Sequence, residues 1–108
     1  MSFRYCVIAT LKDKSVLPEY MKWLNSGHVQ AVCDQGGAKT CHVSVLDGSD
    51  DTDIRVESAY IFPSFEKYEY YCTEVAPTLR PEGIRLFVDT GLVTKFERVT
   101  GKVHFEYP

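Results

Sequence analysis

The sequence predicts an α+β domain of order β-α-β-β-α-β, in which two helices cover one face of a four-stranded antiparallel sheet. Three observations predict it. Four short runs rich in aromatic and β-branched residues alternate with two stretches of helical periodicity in the order strand, helix, strand, strand, helix, strand. The two inner runs follow one another across a polar, acidic loop, which is a hairpin signal. The remaining junctions carry turn and cap residues: Lys12-Asp13-Lys14, Gln35-Gly36-Gly37, Pro63-Ser64 and Asp89-Thr90-Gly91.

Phe3 to Leu11 sets Phe3, Tyr5, Val7, Ala9 and Leu11 against Arg4, Cys6, Ile8 and Thr10, a strand apolar on one face and mostly so on the other. Ser15 stands as an N-cap ahead of Pro18 and Glu19, and the first helix runs from Val16 to about Cys33. Its inward stripe is Leu17, Met21, Leu24, His28, Ala31 and Val32, and the glycines at 36 and 37 stop it. Ala38 to Leu46 reads as the second strand and Ile54 to Phe62 as the third. The loop between them, Asp47 to Asp53, is acidic but lacks the glutamate at the twelfth position that a calcium-binding EF-hand loop needs, so it reads as a solvated turn.

Ser64 is the N-cap of the second helix, with Glu66 in the first turn and Lys67 where a full capping box would need glutamate or glutamine. The inward stripe here is Phe65, Tyr68, Cys72, Val75, Ala76 and Leu79. Pro77 and Pro81 each remove a backbone donor, so a break is expected near Ala76, with a short helix resuming toward Phe87. Leu92 to Val99 is the fourth strand. Val103 to Tyr107 alternates enough to be an extra strand or an arm, so that 100–108 either pairs with its own sheet or reaches across to a partner chain.

With 108 residues the chain is one domain. A formal charge of -3, from 12 basic and 15 acidic residues spread along the chain, argues against nucleic acid as a partner. The apolar runs are far shorter than the roughly 20 residues that span a bilayer, and the first residues, MSFRYCVIAT, lack the blocks of a secretory signal. The expectation is a soluble, cytoplasmic protein without a membrane partner. Cys6, Cys33, Cys41 and Cys72 are far apart with no CxxC pair, which points to free thiols and no metal. Cys41 and His42 are neighbours in a strand, so they point to opposite faces and do not form a nucleophile and base pair. Residues of both parities are apolar in strands one, three and four (Phe3 and Ile8, Tyr60 and Ile61, Leu92 and Val93), so the uncovered sheet face is expected to pack against a second copy.

Three stretches resemble a known group: YMKWLNSGHV (20–29), SAYIFPSFEKYEYY (58–71) and APTLRPEGIRLF (76–87). They are similar to the first helix, the third strand leading into a tyrosine-bearing helix, and the proline-leucine-arginine segment of a small bacterial family known as domain of unknown function 4286. That family lies within the dimeric α+β barrel superfamily, whose protomers are ferredoxin-like. The resemblance implies that fold and a homodimer. Across the superfamily it also implies a small-molecule pocket between helices and sheet, used by haem-degrading and cofactor-free monooxygenases, cyclases, isomerases and mutarotases.

By the same resemblance His28 is the catalytic candidate as general base, Tyr60 as donor to an enolate or phenolate, and Arg80 as holder of a carboxylate or other negative charge. Trp23 and Tyr68 are the ligand-binding candidates. Each of the first three has a purely structural alternative: His28 bonded to a backbone carbonyl, Tyr60 at the dimer seam, Arg80 paired with Glu74 or Glu82. No cofactor is required, and nothing in the sequence separates haem from any other apolar ligand of His28. The functional expectation is a binder of a small apolar or acidic ligand. The alternatives are a cofactor-independent monooxygenase, cyclase or isomerase with His28 as base, and a non-catalytic module whose space between sheet and helices is filled.

Overall fold

In a computed structural model, which describes residues 1–48 and 53–108, four strands form one antiparallel sheet in the order β2-β3-β1-β4. They are β1 (Phe3–Leu11), β2 (Thr40–Val45), β3 (Ile54–Phe62) and β4 (Val93–Lys102). Helical segments join β1 to β2 and β3 to β4, giving the ferredoxin-like order read from the sequence. The acidic turn assigned to Asp47 to Asp53 falls mostly on 49–52, outside the described residues.

Both helical arms differ from the expectation, the first of a continuous helix and the second of one broken near Ala76. A 3-10 turn, Lys14–Val16, comes first, and its cap is Asp13 rather than Ser15: the Ser15 backbone N–H donates to Asp13 Oδ1 at 2.9 Å. The carboxylate reaches this donor because the Asp13 backbone is extended (φ -163). Helix α1 (Leu17–Trp23) then runs into a wide π turn, Leu24–His28, before α2 (Val29–Asp34). Gly27 makes that turn possible, since its φ of +130 is one that side-chain-bearing residues avoid. Gln30 ties it, accepting from the Gly27 N–H at 3.0 Å and donating to the Asn25 carbonyl at 3.1 Å.

The second arm is α3 (Phe65–Tyr70), capped by Ser64 Oγ accepting from the Lys67 N–H at 3.2 Å as the sequence suggests. A π turn (Tyr71–Val75), α4 (Ala76–Gly83) and a further π turn (Ile84–Val88) follow. The break expected near Ala76 is absent. Pro77 sits in the first turn of α4, where its missing donor has no partner to lose. Pro81 lies inside the helix but on its exposed side, where water can reach the freed carbonyl. Phe65, expected inward, is exposed and only edges against Phe3. No helix among the described residues is long and apolar enough to cross a membrane.

Strand β4 is longer than expected and pairs along β1 as far as Phe3↔Lys102, so the first tail residues belong to the chain's own sheet. Of the extra strand or arm expected over Val103 to Tyr107, no strand forms within the chain; among the described residues the Val103 N–H bonds back, to the Ser2 carbonyl at 2.9 Å. Parity also turns out more ordered than the sequence suggests. Phe3, Tyr5, Ala9, Leu11 and every second residue of β3 from Ile54 to Phe62 are buried toward the helices. The opposite face is mixed: Cys6, Ile8, Ala59, Ile61 and Val99 share it with Arg4 and Glu57, whose side chains pair at 3.6 Å.

The core divides into two clusters. One gathers Phe3, Tyr5, Val32, Tyr60, Phe62, Tyr71 and Val75, and the other Ala9, Leu11, Tyr20, Leu24, Val56, Phe87 and Val93. Between them a single row crosses the sheet, Val43, Ser58, Val7 and Arg98 in register. Its neighbours on the same face are Cys41-Tyr60-Tyr5-Thr100 and Val45-Val56-Ala9-Phe96. The middle of this row brings only a valine and a serine, between the tyrosine row of the first cluster and the Val56 and Ala9 row of the second. The two halves of the core meet over it.

Candidate functional site

A cavity of about 60 Å³ lies over that row. Val7 and Ser58 form its floor, Tyr5, Tyr60 and Tyr71 one wall, and Tyr20, Leu24 and Phe96 the other. The helices close it with Trp23, His28, Arg80 and Ile84. His28, Tyr60, Arg80 and Trp23 are thus brought together around one space. Tyr68 is not: it packs outside, stacked on Phe3 at 4.8 Å between centroids and edge-on to Phe62, with its hydroxyl bonded to Cys72.

Trp23 and His28 form a pair that regular helix geometry would forbid. Residues five apart on an α-helix point about 140° away from each other. The π turn inserts one extra residue, closing with the Val29 N–H on the Leu24 carbonyl, and the two rings stack at 4.1 Å and 23°. The indole Nε1–H donates to Glu82 Oε1 at 2.7 Å, pinning the pair to α4. Gly83 admits it, because a Cβ there would stand 3.0 Å from Trp23 Cη2. The same two rings also line a second hollow, of about 150 Å³, with Gly27, Thr78 and Leu79.

Burial holds the His28 imidazole below its ordinary pKa, with nearby Glu82 pulling weakly the other way. The ring is therefore neutral at neutral pH. Burial likewise pushes the Tyr60 and Tyr71 hydroxyls well above the usual phenol range, so both stay protonated and act as donors. Tyr60 donates to the Cys41 thiol, itself pushed up to about 11 by burial. Tyr60 stacks on Tyr5 at 5.8 Å and is almost fully buried on the helix side, so it does not stand at the uncovered sheet face where a dimer seam would place it.

Arg80 turns inward instead of toward Glu74 or Glu82. Its Nη2 donates to the Tyr5 hydroxyl at 3.5 Å, and Arg98 Nε donates to the same oxygen at 3.2 Å. Two polar atoms that line the cavity, Ser58 Oγ and Arg80 Nε, are buried with no hydrogen-bond partner among the described residues. Tyr5, Ser58 and Arg98 were not foreseen as site residues. For Ser58 a signal existed, since it is the one polar residue in the row Ile54, Val56, Ser58, Tyr60, Phe62. Among the described residues no cluster of three or more histidine, cysteine, aspartate or glutamate side chains is placed to hold a metal ion.

Solved structures of similar fold span nearly the whole chain at low identity. A dimeric ferredoxin-like protein from an uncultured marine organism superposes with a TM-score of 0.75 at 14% identity, covering 98% of each chain. SnoaB, a cofactor-independent oxygenase from Streptomyces nogalater, superposes with a TM-score of 0.70 at 10% identity, over 99% of this chain and 97% of its own. MhuD, in a mutant form with two manganese protoporphyrin IX bound per active site, gives 0.67 at 13% identity over 97% and 98%. These likenesses show a ferredoxin-like fold. No curated protein matches the sequence. The model of one family, domain of unknown function (DUF4286), matches residues 5–101, and the chain belongs to that family.

Proposed function

We propose that this protein binds a small, partly apolar molecule in the cavity between sheet and helices, and that it does so as a homodimer. One observation carries the reading: the space between the two core clusters is lined by aromatic rings and by polar atoms with nothing to bond. A module built only for scaffolding would fill such a gap, because an empty space of this kind forfeits packing energy. Dimerisation through the uncovered sheet face is supported by the apolar set Cys6, Ile8, Ala59, Ile61 and Val99 and by the description of one structural neighbour as dimeric. Four free cysteines favour a reducing compartment such as the cytoplasm.

A second reading, cofactor-independent enzyme chemistry with His28 as general base, has a specific observation behind it. A neutral imidazole lines the same cavity as Arg80, so it can accept a proton from a ligand whose developing charge Arg80 stabilises. SnoaB is described as a cofactor-independent oxygenase of the same fold. Tyr60 is the weaker part of this proposal, its hydroxyl being bonded to Cys41. Haem fits poorly. MhuD is described with metalloporphyrin bound, but a ligand of that size needs a pocket of roughly 300–1,000 Å³, and here the His28 ring lies face-on to Trp23.

Trp23 is the sole tryptophan and lines the cavity, so its emission reports occupancy directly. Titration with a panel of phenol, indole, benzamide and benzoate is expected to give saturable changes for at least one member. A flat response to all of them at millimolar concentration refutes the binding reading. Light scattering is expected to give twice the chain mass at micromolar concentration, and a single-chain mass refutes the homodimer. Loss of turnover on His28→Gln, with binding kept, would support the enzyme reading.

A further inference from the structure

Resting on the binding reading, we propose that the polar end of the cavity is a carboxylate subsite formed by Ser58 and Arg80, and that the ligand is a monocarboxylate on a planar apolar body. Ser58 is only 1% exposed, and its hydroxyl finds no partner among the described residues. Arg80 Nε is in the same condition. Buried donors are almost always satisfied, so two such atoms on residues that face one cavity, Ser58 from the sheet and Arg80 from the helices, mark the place of a missing acceptor. A guanidinium only donates and a serine hydroxyl can donate; the group that completes both is an acceptor.

Charge narrows the class. Arg80 and Arg98 both line the cavity and both donate to the hydroxyl oxygen of Tyr5. No aspartate or glutamate is among the described residues that line it. Two positive charges therefore face the space without a counterion on its walls, and an anion there gains charge-assisted hydrogen bonds. Two orphaned donors match the two oxygens of a carboxylate. A phosphate brings more oxygens than these two orphaned donors can serve.

Size places the ligand's body. The cavity, at about 60 Å³, is well below the roughly 150 Å³ that takes up a benzene ring. It holds the acid group, while the ring lies toward Trp23 and His28, whose stacked pair flanks the opening and borders the second hollow. Tyr5 is a positioning residue. It holds Arg80 through Nη2 and leaves Nε without a partner.

The test compares benzoate, benzamide and phenyl phosphate by Trp23 emission, on the wild-type protein and on Ser58→Ala and Arg80→Gln variants checked for native circular dichroism. The expected result is benzoate binding at least tenfold tighter than benzamide. Ser58→Ala should weaken benzoate about tenfold and leave benzamide unchanged, and Arg80→Gln should abolish the preference for the acid. Should Arg80→Gln fail to fold, the Ser58→Ala comparison decides alone. Equal binding of benzoate and benzamide, or tighter binding of phenyl phosphate than of benzoate, overturns the subsite while leaving the binding reading intact. A flat response to all three overturns the subsite, and if phenol and indole are silent as well it overturns the binding reading too.

Discussion

Replacing Gly83 by alanine tests how the cavity's mouth is held. Gly83 is buried with a helical φ of -62, so on propensity alone alanine should stabilise α4 by about 1 kcal/mol. Against this, the new Cβ would stand 3.0 Å from Trp23 Cη2 and 3.4 Å from Cζ2, whereas carbon atoms pack best at about 3.5–4.0 Å. The ring must move by roughly 0.5 Å, and it is held by the 2.7 Å bond to Glu82 and the 4.1 Å stack on His28. Overpacking of this kind costs about 1–3 kcal/mol, so the net effect is a destabilisation of roughly 0–2 kcal/mol. In a Trp23→Leu background the clash disappears and the propensity gain should surface. A double-mutant cycle by urea denaturation should then show coupling of about 1 kcal/mol or more. A stabilised Gly83→Ala in the wild-type background, or a cycle that sums to zero, refutes the claim that this glycine exists to seat the indole.

Gly27→Ala meets no steric obstacle, since nothing lies within 4 Å of the added atom, but it must adopt a φ of +130. A loss of about 1–3 kcal/mol in thermal unfolding is expected, and an unchanged midpoint would show that the turn re-forms another way. Burial of His28 gives a pH dependence of defined sign. The folded protein binds fewer protons than the unfolded chain between the depressed native pKa and the unfolded value near 6.5. Stability from this residue is therefore complete above about pH 7, declines as pH falls through that window, and levels off below the native pKa. Denaturation midpoints between pH 5 and 8 should be steeper for wild type than for His28→Gln, and parallel curves would contradict the assignment. Ser58→Ala removes a buried hydroxyl without a partner, so the ligand-free protein should hold or gain stability by up to roughly 1–2 kcal/mol. A clear loss would mean that Ser58 serves the fold and not the cavity.

The β-α-β-β-α-β order was legible because strand alternation and cap residues depend on near neighbours alone. What the sequence hid depends on the third dimension. Leu17, Met21, Leu24 and His28 keep helical spacing, so nothing in their periodicity announces that Ser26 and Gly27 leave the helix and shift everything after them. Tyr20, absent from that stripe, is among the most buried side chains. Pro77 and Pro81 look like breakers, yet the backbone donor each lacks falls where it is not needed or where water substitutes. His28, Tyr60 and Arg80 were reached by family resemblance, and all three line the cavity. Tyr5 in an alternating strand is indistinguishable from core, and Arg98 becomes a site residue only through its register opposite Val7, two residues along from Tyr5.

The arrangement of the core explains why a cavity lies at this point and not another. A sheet carrying large side chains in every row would press both helical arms outward evenly and leave no gap. Here the Tyr5 and Tyr60 row and the Ala9, Val56 and Phe96 row each recruit their own helical partners, Tyr71 and Val75 on one side, Tyr20, Leu24 and Phe87 on the other. The two clusters meet over the Val7 and Ser58 row, and the cavity lies at that seam. The helical segments cover that row with the π turn that stacks Trp23 on His28 and with α4 between Arg80 and Gly83. The π turn brings the imidazole there, where a regular helix would turn Trp23 and His28 apart, while Arg80 reaches the same space from the regular helix α4. Imidazole and guanidinium thus meet over the seam between the two core clusters, where the packing is incomplete.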